Sequence, residues 1–156
     1  MYRTTLCLIA LGASTVLAAE KYSGPVPPKP DVPYLLHASN LIETETGQAR
    51  QENRKNEATF SVAGSASPAR TPLAEPIFII DARNISPERL ELARLEVKGG
   101  NREVTLGRKK GARLLHLAVT PLGGHLYKVE VDEPLENGEY ALSPSGDNRV
   151  FCFEIF

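Results

Sequence analysis

The sequence predicts an all-β domain, a sandwich or barrel of seven to eight strands, and two observations lead to that prediction. Apolar and polar residues alternate over short runs, as in residues 127–131, where Tyr, Val and Val are separated by Lys and Glu. Turn signals rich in Gly, Pro and Asn recur, as at 121–124 and 143–148. Strands with one buried face show this alternation, and short strands with turn signals roughly every 8–12 residues are typical of a sandwich or barrel.

The N-terminal residues 1–19 have the pattern of a secretory signal peptide. Arg3 supplies the positive n-region, residues 6–11 form a short apolar core, and Ala18 and Ala19 offer small residues for cleavage. This apolar stretch is too short to cross a membrane comfortably, and no later segment approaches transmembrane length. We therefore expect cleavage near Ala19 and a periplasmic or secreted protein, and export together with a mature chain that has no cysteine pair favours a bacterial source.

The length and charge of the chain limit the number of domains and the classes of partner. The chain has 156 residues, with 18 basic and 19 acidic side chains and a formal net charge of −1. This length fits one domain, and the balanced charge disfavours a nucleic-acid partner, which usually requires a basic excess.

After cleavage Cys152 would be the sole cysteine, so no internal disulfide is expected. Cys152 stands between Phe151 and Phe153 and is predicted to be a small buried residue rather than a nucleophile.

The mature chain divides into a leader and a domain. Residues 20–33 contain five prolines, which predict an extended, polyproline-like leader that we interpret as a spacer. The β domain is then residues 34–156. Its first strand is expected at 34–42, followed at 43–57 by a charged stretch that is a solvated loop or an edge hairpin. The apolar run at 77–80 predicts a strand buried on both faces.

Residues 88–98 can be a strand or a helix. Ser86 and Pro87 could begin a helix. The apolar side chains, however, would point all round a helical wheel, which favours a strand. Because 90 and 92 share one strand face while 95 and 97 share the other, we expect a bulge between them. A turn at 99–101 and a strand at 102–106 would complete a β-hairpin.

The second half of the chain also carries a resemblance. Its features are the Gly138–Leu142 run GEYAL, the closing aromatic strand at 150–153, and the earlier hairpin pattern at 94–104. Over residues 75–156 this pattern resembles small exported bacterial domains of the immunoglobulin-like β-sandwich type. The resemblance implies an immunoglobulin-like antiparallel sandwich and export, and it supplies no catalytic motif.

The residues that could carry chemistry form no recognisable motif. The three histidines, His37, His116 and His125, lack the i, i+2 or i, i+4 spacing that is typical of metal ligands. Serine-nucleophile and phosphate-binding patterns are missing, and the acidic residues at 132–133 and 147 are typical of turns. We therefore predict no catalytic, cofactor or metal site and no enzyme.

The resulting hypothesis is a non-catalytic binding or interaction module of the bacterial envelope, whose partner could be another envelope protein. Two alternatives remain. One is a metal-dependent hydrolase that uses the three histidines. The other is an assembly subunit that adds a strand to a partner sheet, through residues 34–42 or through the terminal strand.

Overall fold

The computed structural model describes residues 21–107 and 111–156, which form an all-β structure of two sheets without an α-helix. The predicted signal peptide lies outside the described residues. The strands are β1 (Tyr34–His37), β2 (Asn40–Glu43), β3 (Glu45–Gln48), β4 (Arg50–Arg54), β5 (Glu57–Ala63), β6 (Arg70–Thr71), β7 (Ile77–Asp81), β8 (Leu90–Lys98), β9 (Asn101–Gly107), β10 (Leu117–Gly123), β11 (Leu126–Val131), β12 (Gly138–Pro144) and β13 (Arg149–Ile155). One short 3-10 turn, Pro87–Arg89, precedes β8.

Both sheets are antiparallel apart from one short pair. The smaller sheet has the order β10-β11-β7-β1-β2, and the larger has the order β3-β13-β12-β8-β9-β5-β4. The two-residue strand β6 pairs with β13 in parallel. The smaller sheet packs on the larger as in a β-sandwich, and large side chains such as Phe78, Tyr140, Leu142, Phe151 and Phe153 fill the core between them.

The larger sheet also closes on itself. Its two edge strands, β3 and β4, are joined by Ala49 alone and form one extended segment, Glu45–Arg54. This segment pairs with β13 through its first half and with β5 through its second half. At the change of partner, the Ala49 N–H still donates to the Asn148 carbonyl at 2.8 Å. The segment therefore completes a six-stranded barrel with β13, β12, β8, β9 and β5, and a second apolar cluster lines its interior.

Several sequence expectations are confirmed. The strand at 77–80 is buried on both faces, since Phe78, Ile79 and Ile80 are all fully inaccessible to solvent. Residues 88–98 form strand β8 rather than a helix, and the predicted hairpin to β9 turns at Gly99 and Gly100, both with positive φ. Left-handed backbone of this kind favours glycine.

The expected bulge in residues 88–98 was wrong. The β8–β12 ladder runs without a break, from Leu90 opposite Pro144 to Leu95 opposite Glu139. Leu90 and Leu92 face the sandwich core, whereas Ala93 and Leu95 face the barrel interior. The apolar phase changes because the two faces of this strand meet different cores, the first at Leu90 and Leu92 and the second at Ala93 and Leu95.

The strand count was also too low. The expected single strand at 34–42 is a hairpin, β1–β2, which turns at Ala38 and Ser39. The charged stretch at 43–57 contributes β3, β4 and the start of β5; its β4–β5 hairpin agrees with the edge-hairpin alternative. Charged side chains fit β4, since all five of its residues are exposed.

The proline-rich leader is built into the domain. Pro27, Asp31 and Pro33 are buried, and the Asp31 N–H donates to the Asp81 carbonyl at 2.8 Å. The Asp31 carboxylate accepts the backbone N–H groups of residues 83, 84 and 85 at 2.7, 2.8 and 3.2 Å, and the Asn84 amide at 2.7 Å. Although burial opposes its ionisation, these hydrogen bonds lower the pKa of Asp31 to about 2.

We expect Asp31→Ala to lower the free energy of unfolding by about 2 kcal/mol at neutral pH, because it leaves three backbone donors without their acceptor. The lowered pKa stabilises the fold above the unfolded-state value of about 3.8, and this contribution disappears as the pH falls towards 2. Urea unfolding from pH 7 to pH 2 tests this, with Asp132→Ala as an exposed-carboxylate control. Equal pH dependence of Asp31→Ala and the wild type would contradict the assignment.

Candidate functional site

The barrel encloses a cavity of about 230 Å³. Every strand of the barrel contributes to its wall. The lining side chains are those of Ala49, Gln51, Phe60, Val62, Glu91, Ala93, Leu95, Val104, Leu106, Leu114, Ala141, Ser143, Pro144, Asp147, Asn148 and Val150, with Gly146 at the rim. The deeper residues of this set are aliphatic or aromatic, and the polar ones lie towards one end, which is the mouth of the cavity.

The cavity exists because small side chains point inward. Ala93 and Ala141 lie directly opposite each other in the β8–β12 ladder, and Ala49 faces the same interior. The alternate positions of the same two strands, Leu92 and Leu142, point into the sandwich core and are fully buried. Two alanines therefore occupy the barrel side at a level where two leucines occupy the sandwich side, and the barrel interior is left partly empty.

The other end of the barrel is closed by a buried arginine. The Arg102 side chain is completely inaccessible and donates from Nη1 and Nη2 to the two Glu45 carboxylate oxygens at 2.6 and 2.9 Å. It also donates to the carbonyls of Gly64 and Ala63 at 2.9 and 2.8 Å. Glu139 lies 3.6 Å from Nη1. Arg102 thus joins β9 to the end of β5 and to β3, at the level where the segment Glu45–Arg54 pairs with β13 and not with β5.

Electrostatics at this closed end follow from burial and pairing. The hydrogen bonds from Arg102 lower the pKa of Glu45, and the Glu45 carboxylate in turn raises the pKa of Arg102. Burial raises the pKa of Glu139, although Arg102 and the Ser67 N–H, which donates to it at 3.0 Å, oppose that rise. No buried side-chain nitrogen or oxygen in residues 21–107 and 111–156 lacks a hydrogen-bond partner.

Cys152 lies beside this cluster as a buried residue, which confirms the sequence prediction. Burial raises the pKa of its thiol to about 12. A thiol that stays protonated is a poor nucleophile. Ser67, which the sequence places in a polar loop, is also buried, and its hydroxyl donates to the Cys152 carbonyl at 3.1 Å.

The histidines occupy separate places. His37 ends β1, His125 lies in the turn between β10 and β11 at the opposite end of the smaller sheet, and His116 contacts Asp132 at 2.6 Å just before β10. Within the described ranges, no three His, Cys, Asp or Glu side chains are grouped so that they could hold a metal ion. The structure therefore brings the three histidines to no common site.

Comparisons with known protein families, curated proteins and solved structures find no match for this chain. In the part of the chain that the structure describes, no helix is long and apolar enough to span a membrane.

Sequence reasoning missed the residues of the site. Arg102 has the same strand parity as Val104 and Leu106, which the pattern places on one face, and this parity was the available signal that Arg102 points inward. Its partner Glu45 lies 57 residues earlier, inside a stretch that looks solvated. The alanines that create the cavity carry no chemical signal, because alanine occurs in any buried position.

We expect Arg102→Met to lower the free energy of unfolding by about 3–5 kcal/mol, because it leaves Glu45 without its partner and Glu139 without a nearby cation. Arg113→Met is the matched control. It removes an exposed ion pair with Glu133, which is worth less than about 1 kcal/mol. Urea unfolding of both variants measures the difference, and a loss from Arg102→Met as small as that of the control would refute the structural role.

Glu139→Gln should become more stable relative to the wild type as pH rises. A carboxyl with a raised pKa is favoured in its protonated form in the folded state. The free energy of unfolding of the wild type therefore falls as the pH rises from the ordinary pKa of 4.5 to the raised pKa of Glu139. Above that raised pKa the loss stays constant. Free energies of unfolding measured from pH 4 to 8 check this. Parallel curves for the two proteins would show that Glu139 does not titrate differently on folding.

Proposed function

We propose that this chain is a non-catalytic, exported binding module of the bacterial envelope, and that the barrel cavity is its binding site. The observation that carries the proposal is the under-filled barrel interior, where opposed alanines leave about 230 Å³ of space lined by apolar side chains. Protein interiors are normally packed with few voids, and apolar cavities of about 150 Å³ stay dry and bind small apolar molecules. A cavity of this size that opens at a polar rim is a suitable container for a small apolar ligand.

The chemistry of the wall supports binding rather than catalysis. The polar groups at the closed end are engaged with one another, and the Cys152 thiol is held in its protonated form. Export rests on the N-terminal pattern, and the immunoglobulin-like resemblance stays a prediction. A partner that pairs with the terminal strand fits poorly, since β13 lies between β12 and β3 inside the larger sheet.

Ala141→Leu should abolish binding by filling the cavity from its wall, without loss of stability, since cavity filling commonly stabilises a protein. Binding of benzene and of 1-hexanol to the wild type would be followed through NMR shifts of the Val62, Leu95 and Val104 methyl groups. Ala93→Val, on the adjacent strand β8, should weaken binding in the same way.

The matched control is Ala118→Leu, which enlarges a half-buried alanine of β10 in the smaller sheet that does not line the cavity. This variant should bind both probes like the wild type. If neither probe shifts the interior methyl groups of the wild type, or if Ala141→Leu binds unchanged, the cavity is not a binding site.

A further inference from the structure

We infer that the ligand of this cavity is an unbranched aliphatic chain of about eight carbons that enters tail first and leaves an uncharged polar end at the mouth. This inference rests on the proposed function and adds to it the shape, the orientation and the end group of the ligand. Three independent features of the cavity lead to it: its dimensions, the state of its closed end and the chemistry of its mouth.

The dimensions indicate a narrow channel. The cavity follows β8 from Glu91 at the mouth to Leu95, and a strand rise of about 3.3 Å per residue gives about 13 Å for that distance. A strand tilt of roughly 40° in a small barrel shortens this to about 10 Å along the axis. Spread over that length, a volume of about 230 Å³ gives a mean cross-section of about 23 Å². This width suits a single aliphatic chain, and with C–C bonds of about 1.5 Å a zigzag of about eight carbons has the required length.

The closed end offers no partner to a polar group. Arg102 does not reach the cavity wall, and four of its N–H bonds are already directed at Glu45, Ala63 and Gly64. The side chains that line the deep part, Leu95 and Val62 among them, are hydrocarbon. A ligand that placed a hydroxyl or a charge there would lose its hydration without a replacement hydrogen bond. The apolar end of the ligand must therefore lie innermost.

The mouth has the complementary chemistry. Gln51, Ser143 and Asn148 place amide and hydroxyl groups around it. The charged side chains among the described lining residues are the carboxylates of Glu91 and Asp147, and the Asp147 carboxylate is paired with the Arg149 guanidinium at 3.3 Å. An uncharged hydroxyl or amide end can exchange hydrogen bonds with this rim, whereas a carboxylate end would meet the negative charge of Glu91.

The test is a chain-length series of primary alcohols, from 1-butanol to 1-decanol, titrated into the intact domain and monitored by the methyl groups of Leu95 and Val104. We expect affinity to rise about fourfold with each added methylene and to level off beyond about eight carbons. Ala141→Leu should shift the plateau to shorter chains or eliminate binding, and Ala118→Leu should reproduce the wild-type series.

Two further ligands separate the parts of the inference. Cyclooctanol has the carbon number of 1-octanol in a compact shape and should bind at least tenfold more weakly. Octanoate should also bind more weakly than 1-octanol at neutral pH. Equal or tighter binding of cyclooctanol overturns the assigned shape, and tighter binding of octanoate overturns the assigned end group, while both results leave the cavity as a binding site. If no alcohol binds, the proposed function itself fails.

Discussion

The buried guanidinium of Arg102 is the interaction on which the closure of the larger sheet depends. The segment Glu45–Arg54 can complete a barrel only by changing partner at Ala49, from β13 to β5. Below that point β3 and the end of β5 have no ladder between them. Arg102 bridges this opening through Glu45 on one side and the Ala63 and Gly64 carbonyls on the other. An arginine fits this role because its planar fork provides several donors in fixed directions.

Closure gives three strands, β8, β12 and β13, two different environments. One face of each strand packs in the sandwich core and the other faces the barrel interior. In β13, Phe151 and Phe153 point to the sandwich while Val150 and Cys152 point to the barrel, and all four are buried. The sandwich side of these strands therefore carries large aromatic and branched residues, whereas the barrel side carries smaller ones. The sandwich core contains the larger side chains, and the barrel interior retains space.

The local part of this fold could be predicted from the sequence, and the long-range part could not. Hairpins such as β8–β9 depend on neighbouring residues and a glycine turn, so alternation and turn chemistry are sufficient to predict them. The pairing of β3 with β13 joins Glu45 to Cys152 across most of the chain, and no local pattern specifies such a partner. The same reason explains why the sequence predicts a bulge in β8 that the structure does not contain. A change of apolar phase looks like an irregularity when only one core is assumed, although two cores account for it with a regular strand.

Catalytic and metal sites that are built from histidines, serines and carboxylates have recognisable residue spacings in a sequence. A cavity has no such signature. Its defining positions are Ala49, Ala93 and Ala141, and their meaning depends on which strands face each other after folding. An unfilled interior ordinarily costs stability, since its lining side chains lose contacts. Here the adjoining sandwich core, with fully buried Phe78, Leu92, Leu142 and Phe151, can supply the burial on which folding depends. A wall that is stabilised from its other face can leave its inner face available to a ligand, and this division is the physical basis of the proposal that the barrel binds one.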